Sequence, residues 1–207
     1  MRLPPARATM VLVAATSLAW AVTSLAGWDA VAGIVAGFIP ARVQGLALAG
    51  AVPVWLTPLS ATLVHAGIVH LGFNMLMLGF CGRYVEPSVG WIGIALLYLV
   101  GAYAAAAAQY AVDPAGLSPM VGASGAVSAI FAAYALLYGE RRGRFRDGRL
   151  GAALQIVWLA AAWIGLQLLV GFATVQGREI ATAAHVGGFL AGLALAKPLL
   201  RLHWRKA

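Results

Sequence analysis

Charge is what this chain has least of. Only 10% of its 207 residues are Asp, Glu, Lys or Arg, against about 25% in an ordinary soluble domain. So few charges cannot clothe a water-facing surface, which excludes a soluble globular protein. Acids are scarcer still, at six against 14 Lys and Arg. The six are Asp29, Glu86, Asp113, Glu140, Asp147 and Glu179, and all fall in expected loops or at the ends of apolar runs. None is left inside a run to complete a metal site or a proton relay. Cysteine is nearly absent. Cys81 alone excludes an internal disulfide, and its apolar surroundings mark it as a small packing residue.

What is abundant is apolar sequence, at 62%. Several uncharged windows run for roughly 18 to 22 residues, enough to cross a hydrocarbon core of about 30 Å as a helix. The expected fold is all-α, a polytopic membrane bundle forming one domain over 1–207. Its six spans are expected at about 10–26, 61–82, 91–110, 121–138, 150–171 and 181–200. The first also has the look of a signal peptide, with a basic start and small residues at Ser24 and Ala26. Cleavage would leave an odd number of spans. Residues 27–59 are apolar but broken by Asp29, Pro40, Arg42, Gln44 and Pro53. They read as an interfacial or partly re-entrant segment rimmed by Trp28 and Trp55, too long for a plain connector.

Six spans put both ends on one side, and the basic residues agree. Arg2, Arg7, Arg83, Arg141, Arg142, Arg144, Arg146, Arg149, Lys197, Arg201, Arg205 and Lys206 fall on one face, and only Arg42 and Arg178 on the other. Twelve against two places the termini in the cytoplasm. It also offers the basic surface to anionic headgroups, so the excess positive charge needs no nucleic acid to explain it.

Depth follows from topology. Ser124 is the fourth residue of an inward-running span, roughly 5 Å below the outer boundary. His185 is the fifth residue of another, at roughly 6 Å. His70 and Asn74 lie on one face of the second span, with Asn74 counted deeper, near the midplane. Buried polar groups of this kind also serve as plain hydrogen bonders between helices. Their convergence with a glycine-flanked serine favours chemistry instead. Gly122, Gly125, Ala126 and Ala129 make one small face, and Gly188 and Gly192 another. Small faces let backbones approach closely, which a hydroxyl needs to reach an imidazole.

A neutral His185 can take the Ser124 proton and return it to a leaving amine. With no carboxylate placed nearby, the expected constellation is a Ser–His dyad. The Ser124 amide, the Asn74 amide and the His70 ring are candidate oxyanion donors. His65 and His70, five apart on one helix, point about 140° apart and cannot chelate together. No metal or other cofactor is expected. His65 and His203 read as interfacial residues, and Ser128 as a small packing residue.

These motifs resemble the rhomboid family of intramembrane serine proteases. The carriers are Leu56-Thr57-Pro58, His70-Leu71-Gly72-Phe73-Asn74, Gly122-Ala123-Ser124-Gly125, and Ala184-His185-Val186-Gly187-Gly188 with Gly192. They occur in the family's order, on spans two, four and six. The resemblance implies Ser124 as nucleophile, His185 as base, and His70 and Asn74 at the oxyanion hole. It implies cleavage of other proteins' transmembrane segments near the outer face, with entry near spans two and five, and a first loop partly in the membrane. A bacterial inner membrane is the expected location. Two positions depart from the family's habits. Trp55 is followed by Leu56 where members often carry Trp-Arg, and Ser128 stands where some carry a ring stacked on the catalytic histidine. The alternatives are a silent relative that binds membrane helices without cutting, and a transporter with a histidine relay. The lack of a buried carboxylate argues against the transporter.

Overall fold

The computed structural model describes residues 5–138, 148–174 and 181–204. The expected basic loop, with Arg141, Arg142, Arg144 and Arg146, and the loop carrying Arg178 and Glu179 lie outside those residues. Among the described residues, seven α-helices follow in order: α1 (Arg7–Leu25), α2 (Asp29–Ala36), α3 (Thr57–Ser60), α4 (Ile68–Val112), α5 (Ser124–Tyr138), α6 (Gly148–Thr174) and α7 (Thr182–Trp204). Among the described residues there is no strand, only an isolated antiparallel bridge between Phe38 and Met120. Among the described residues, three helices, α1, α4 and α7, are long and apolar enough to cross a membrane.

Helix α4 contains two of the expected spans and corrects the loop drawn between them. Its 45 residues would measure about 67 Å if straight, over twice a hydrocarbon core of about 30 Å. The break is a single residue, Gly90, at φ 74 and ψ 171. Only glycine adopts that backbone without strain. Residues 83–89, expected as loop, continue the first arm as helix. Pro87, just ahead of the break, removes one helical hydrogen bond there.

That correction moves Glu86 from a loop into a helix, where it is buried. The N-cap of α1, Ala6, has no side-chain cap. Glu86 supplies one from another helix: its carboxylate accepts from the amides of Ala8 at 3.0 Å and Thr9 at 2.8 Å, and from Thr9 Oγ1 at 2.7 Å. Free amides and the helix dipole both favour a negative charge at that end. One turn earlier, a Cβ at Gly82 would lie 2.6 Å from Thr9 Cγ2. Glycine is therefore what lets α1 seat against α4.

The second span also begins later than expected. Residues 61–63 form a short 3-10 turn, and α4 starts only at Ile68. The first loop is tied to α4 at Trp55, whose carbonyl accepts from the Tyr103 hydroxyl at 2.9 Å, and is braced internally by Arg42. Arg42 is buried, and its Nη2 donates to the Val52 carbonyl at 2.8 Å. The loop then meets the chain ahead of Ser124 through paired bonds between Phe38 and Met120, at 3.0 and 2.8 Å.

Helix α5 sits in the middle of the bundle. Its 15 residues rise about 22 Å, and ten of them, from Ser124 to Ala135, are buried. The second arm of α4 closes on one side, where a Cβ at Gly101 would lie 2.7 Å from Ala129 Cβ. On the other side α7 approaches so closely that a Cβ at Gly192 would lie 2.6 Å from Ala129 Cα. Ridges of small residues thus replace interlocking large side chains. The larger apolar residues, Leu78, Val85, Ile94, Leu97, Val127 and Ile130, pack into one core with Cys81, which is fully buried as a packing residue.

Candidate active site

Ser124 opens α5, and His185 lies in the first turn of α7. Ser124 Oγ and His185 Nε2 are 2.9 Å apart in a buried hydrogen bond. The close approach of α5 and α7 explains how two short side chains meet. A Cβ at Gly188, three residues after His185, would fall onto the Gly125 carbonyl oxygen. For Nε2 to accept from the hydroxyl, the ring proton must sit on Nδ1. Nδ1 is buried without a protein partner among the described residues.

The chain before Ser124 is clasped by two imidazoles. Gly122 has φ 109, and a Cβ there would lie 2.6 Å from His70 Cε1 and 2.8 Å from its Nε2. Both its backbone angle and the ring above it require glycine. The Gly122 amide donates to the Ala61 carbonyl at 2.9 Å. The next amide, of Ala123, donates to His65 Nε2 at 3.4 Å.

His65 is the functional candidate that the sequence reading misplaced. Expected at the membrane interface, it is 1% exposed and packs edge-to-face on His70 with ring centroids 5.1 Å apart. The late start of α4 is the reason. His65 lies in a non-helical stretch, so the 140° separation that a continuous helix would impose does not apply. Burial, with the neighbouring His70, pushes its pKa down to about 3. It is therefore a neutral acceptor for the Ala123 amide at ordinary pH. No sequence signal short of the helix boundary itself would have found this contact.

Asn74 is fully buried, and its Nδ2 donates to the His70 carbonyl one turn back at 2.9 Å. Its Oδ1 has no protein partner among the described residues. The structure thus joins Ser124 to His185 directly, sets His70 against Gly122 two residues before Ser124, and ties Asn74 to the backbone of His70. Ser128 is more than packing. Its Oγ donates to the Ser124 carbonyl at 2.7 Å and accepts from Trp163 Nε1 at 2.7 Å. His203 rests on the α4 break, where a Cβ at Gly90 would lie 2.7 Å from its Nδ1. Among the described residues, no three His, Cys, Asp or Glu side chains gather as a metal ion would require.

Comparison with known proteins places these residues in one lineage. The family model described as "Rhomboid domain" matches residues 53–202, a stretch that holds the residues above from His65 to His185. Rhomboid-related protein 2 of Mus musculus is 32% identical over 142 residues, covering 66% of this chain and 45% of the relative. RHOMBOID-like protein 4 of Arabidopsis thaliana is 33% identical over 147 residues, covering 69% and 33%. Rhomboid protease GlpG of Pectobacterium atrosepticum is 31% identical over 137 residues, covering 66% and 46%. The chain spans less than half the length of each of these relatives. With a family model matching most of its length and a helical bundle built of apolar helices, this chain belongs to the rhomboid family and is an integral membrane protein.

Proposed function

We propose that this protein is an intramembrane serine endopeptidase that hydrolyses peptide bonds in or near transmembrane segments of other membrane proteins. The observation that carries the reading is the buried 2.9 Å hydrogen bond between Ser124 Oγ and His185 Nε2. It joins side chains 61 residues apart in sequence on two separate helices. A neutral imidazole in that position takes the hydroxyl proton as Oγ attacks the carbonyl carbon, then returns it to the departing amine. Water reverses the sequence to free the acyl group. The negative charge on the carbonyl oxygen is met by the Ser124 amide, which no preceding helical turn occupies, and by the His70 ring and Asn74 amide. Ser124 and His185 act as a dyad in this reading. The other relevant fact is the name of one relative, a rhomboid protease.

The rest of the proposal concerns setting. Residues 1–207 form one membrane domain in a bacterial inner membrane, with cytoplasmic termini and the basic face on anionic headgroups. The strong bias of Lys and Arg to one side supports that orientation. The test is labelling of the full chain in detergent by a serine-reactive fluorophosphonate, beside cleavage of a model transmembrane substrate. The parent is expected to do both, and Ser124→Ala and His185→Ala neither. Labelling that survives Ser124→Ala would remove Ser124 as nucleophile. A folded parent that neither labels nor cleaves would favour a protein that binds membrane helices without cutting them.

A further inference from the structure

Among the described residues of α6, Trp163 is the large side chain that is fully buried in the bundle, with Ile156 packing partly buried against the same core. Trp163 is 2% exposed, whereas Leu154, Val157, Trp158 and Leu166 of the same helix are exposed. Its ring stacks on Phe131 of α5, with centroids 4.7 Å apart, and on Phe73 of the first arm of α4, at 5.9 Å. Its Nε1 donates to Ser128 Oγ at 2.7 Å, and Ser128 Oγ donates to the Ser124 carbonyl at 2.7 Å.

The direction of this chain is fixed by chemistry. An indole nitrogen can only donate, so the Ser128 oxygen must accept from it. The single hydroxyl proton of Ser128 is then left for the Ser124 carbonyl. Both bonds are buried, and a buried donor left without its acceptor is destabilising. The carbonyl at the end belongs to the residue that carries Oγ, in a first turn that no earlier turn of helix restrains.

We propose that Trp163 and Ser128 are positioning residues for the reaction of Ser124, and that the docking of α6 is coupled to the nucleophile through these two hydrogen bonds. The inference rests on the reading of Ser124 as nucleophile. Holding the Ser124 carbonyl fixes the plane of the Ser124–Gly125 peptide, and with it the direction in which Cβ aims Oγ at His185. If α6 moves outward by about 1 Å, Nε1 leaves hydrogen-bonding range. The Ser128 hydroxyl is then free to turn, and the first turn of α5 loosens.

The test uses the full chain in detergent and three variants. Trp163→Phe deletes the N–H and keeps the stacked ring, Ser128→Ala deletes the middle of the chain, and the third combines them. Each is measured for kcat and KM on a model transmembrane substrate, for the rate of fluorophosphonate labelling, and for melting temperature. Each single variant is expected to lose about fivefold in kcat and labelling rate, the size of one neutral hydrogen bond, with KM changed by less than about twofold. The double variant is expected to fall no further than Ser128→Ala, because both changes cut the same chain. Losses that multiply in the double variant would overturn the proposal. So would unchanged kcat in either single variant, or a rise in KM alone. If Trp163→Phe does not fold, Ser128→Ala by itself must still show the kcat loss. A parent that neither labels nor cleaves sinks the nucleophile reading and this proposal together. A reactive parent matched by its variants sinks this proposal only.

Discussion

Helices α5 and α6 are neighbours in sequence and opposites in construction. Helix α5 is gripped on two sides by backbones, with small residues at each crossing, and most of its side chains are buried. Helix α6 turns much of its surface outward and sends one large described residue, Trp163, fully into the interior, with Ile156 partly buried against the same core. The contrast shows two ways of holding a helix in a membrane. One uses many shallow contacts that tolerate no added atom. The other uses a single deep side chain and leaves the remainder replaceable. The nucleophile candidate sits on the first kind, with its own carbonyl tied through Ser128 to the second.

The contrast breaks most severely at the α5–α7 crossing. Gly188→Leu would drive a side chain into the Gly125 carbonyl, with backbone on the far side that cannot yield. We expect loss of more than ~3 kcal/mol and no labelling at Ser124. A melting curve in detergent checks this, and a parental Tm would contradict the close-packing account.

A smaller effect sharpens the rigid side. His65 holds the chain just ahead of Ser124 only as a neutral acceptor, with its pKa lowered from 6.5 to about 3 by burial and by His70. Between those values the unfolded chain binds a proton that the folded chain refuses. Stability attributable to His65 is therefore intact above about 6.5 and declines as pH falls toward 3, at ~1.4 kcal/mol per unit. His65→Gln, which keeps an acceptor and removes the titration, should melt with a shallower pH dependence than the parent across this window. Equal slopes for the two proteins would exclude His65 as the source.

The smallest effect is expected on the replaceable side. Val157 is 64% exposed on α6, and Val157→Ala should shift stability by less than ~0.5 kcal/mol with labelling unchanged. A large loss there would mean that the outward face of α6 also carries its docking.

Much of this was legible in the sequence because membrane constraints act locally. A run without charge must be a helix, since the backbone can satisfy its own hydrogen bonds in no other way within one segment. Ser124 and His185 stood out because polar groups in such runs are few. Gly125, Gly188 and Gly192 stood out because small residues repeat at helical spacing. Most misreadings share one cause. The loop at 83–90, the early start of the second span and the interfacial His65 all depended on where helices begin and end, whereas the passive Ser128 missed a partner on another helix. A single glycine angle at Gly90 and a non-helical stretch before Ile68 set those boundaries.

The sequence by itself determined the class of fold, the membrane environment, and which residue types could do chemistry. Each follows from the free energy of placing a given side chain or backbone group in hydrocarbon, and composition carries that information. Only the tertiary structure decided the partners. Glu86 caps α1 across 77 to 78 residues, His65 reaches Ala123 across 58, and Trp163 reaches Ser128 across 35. Such pairings require a distance of about 3 Å between atoms on different elements. Periodicity gives the face of a helix, and only the packed bundle gives what that face meets. For the Ser124 hydroxyl and its neighbouring carbonyl, what it meets is His185 from one helix and, through Ser128, Trp163 from another.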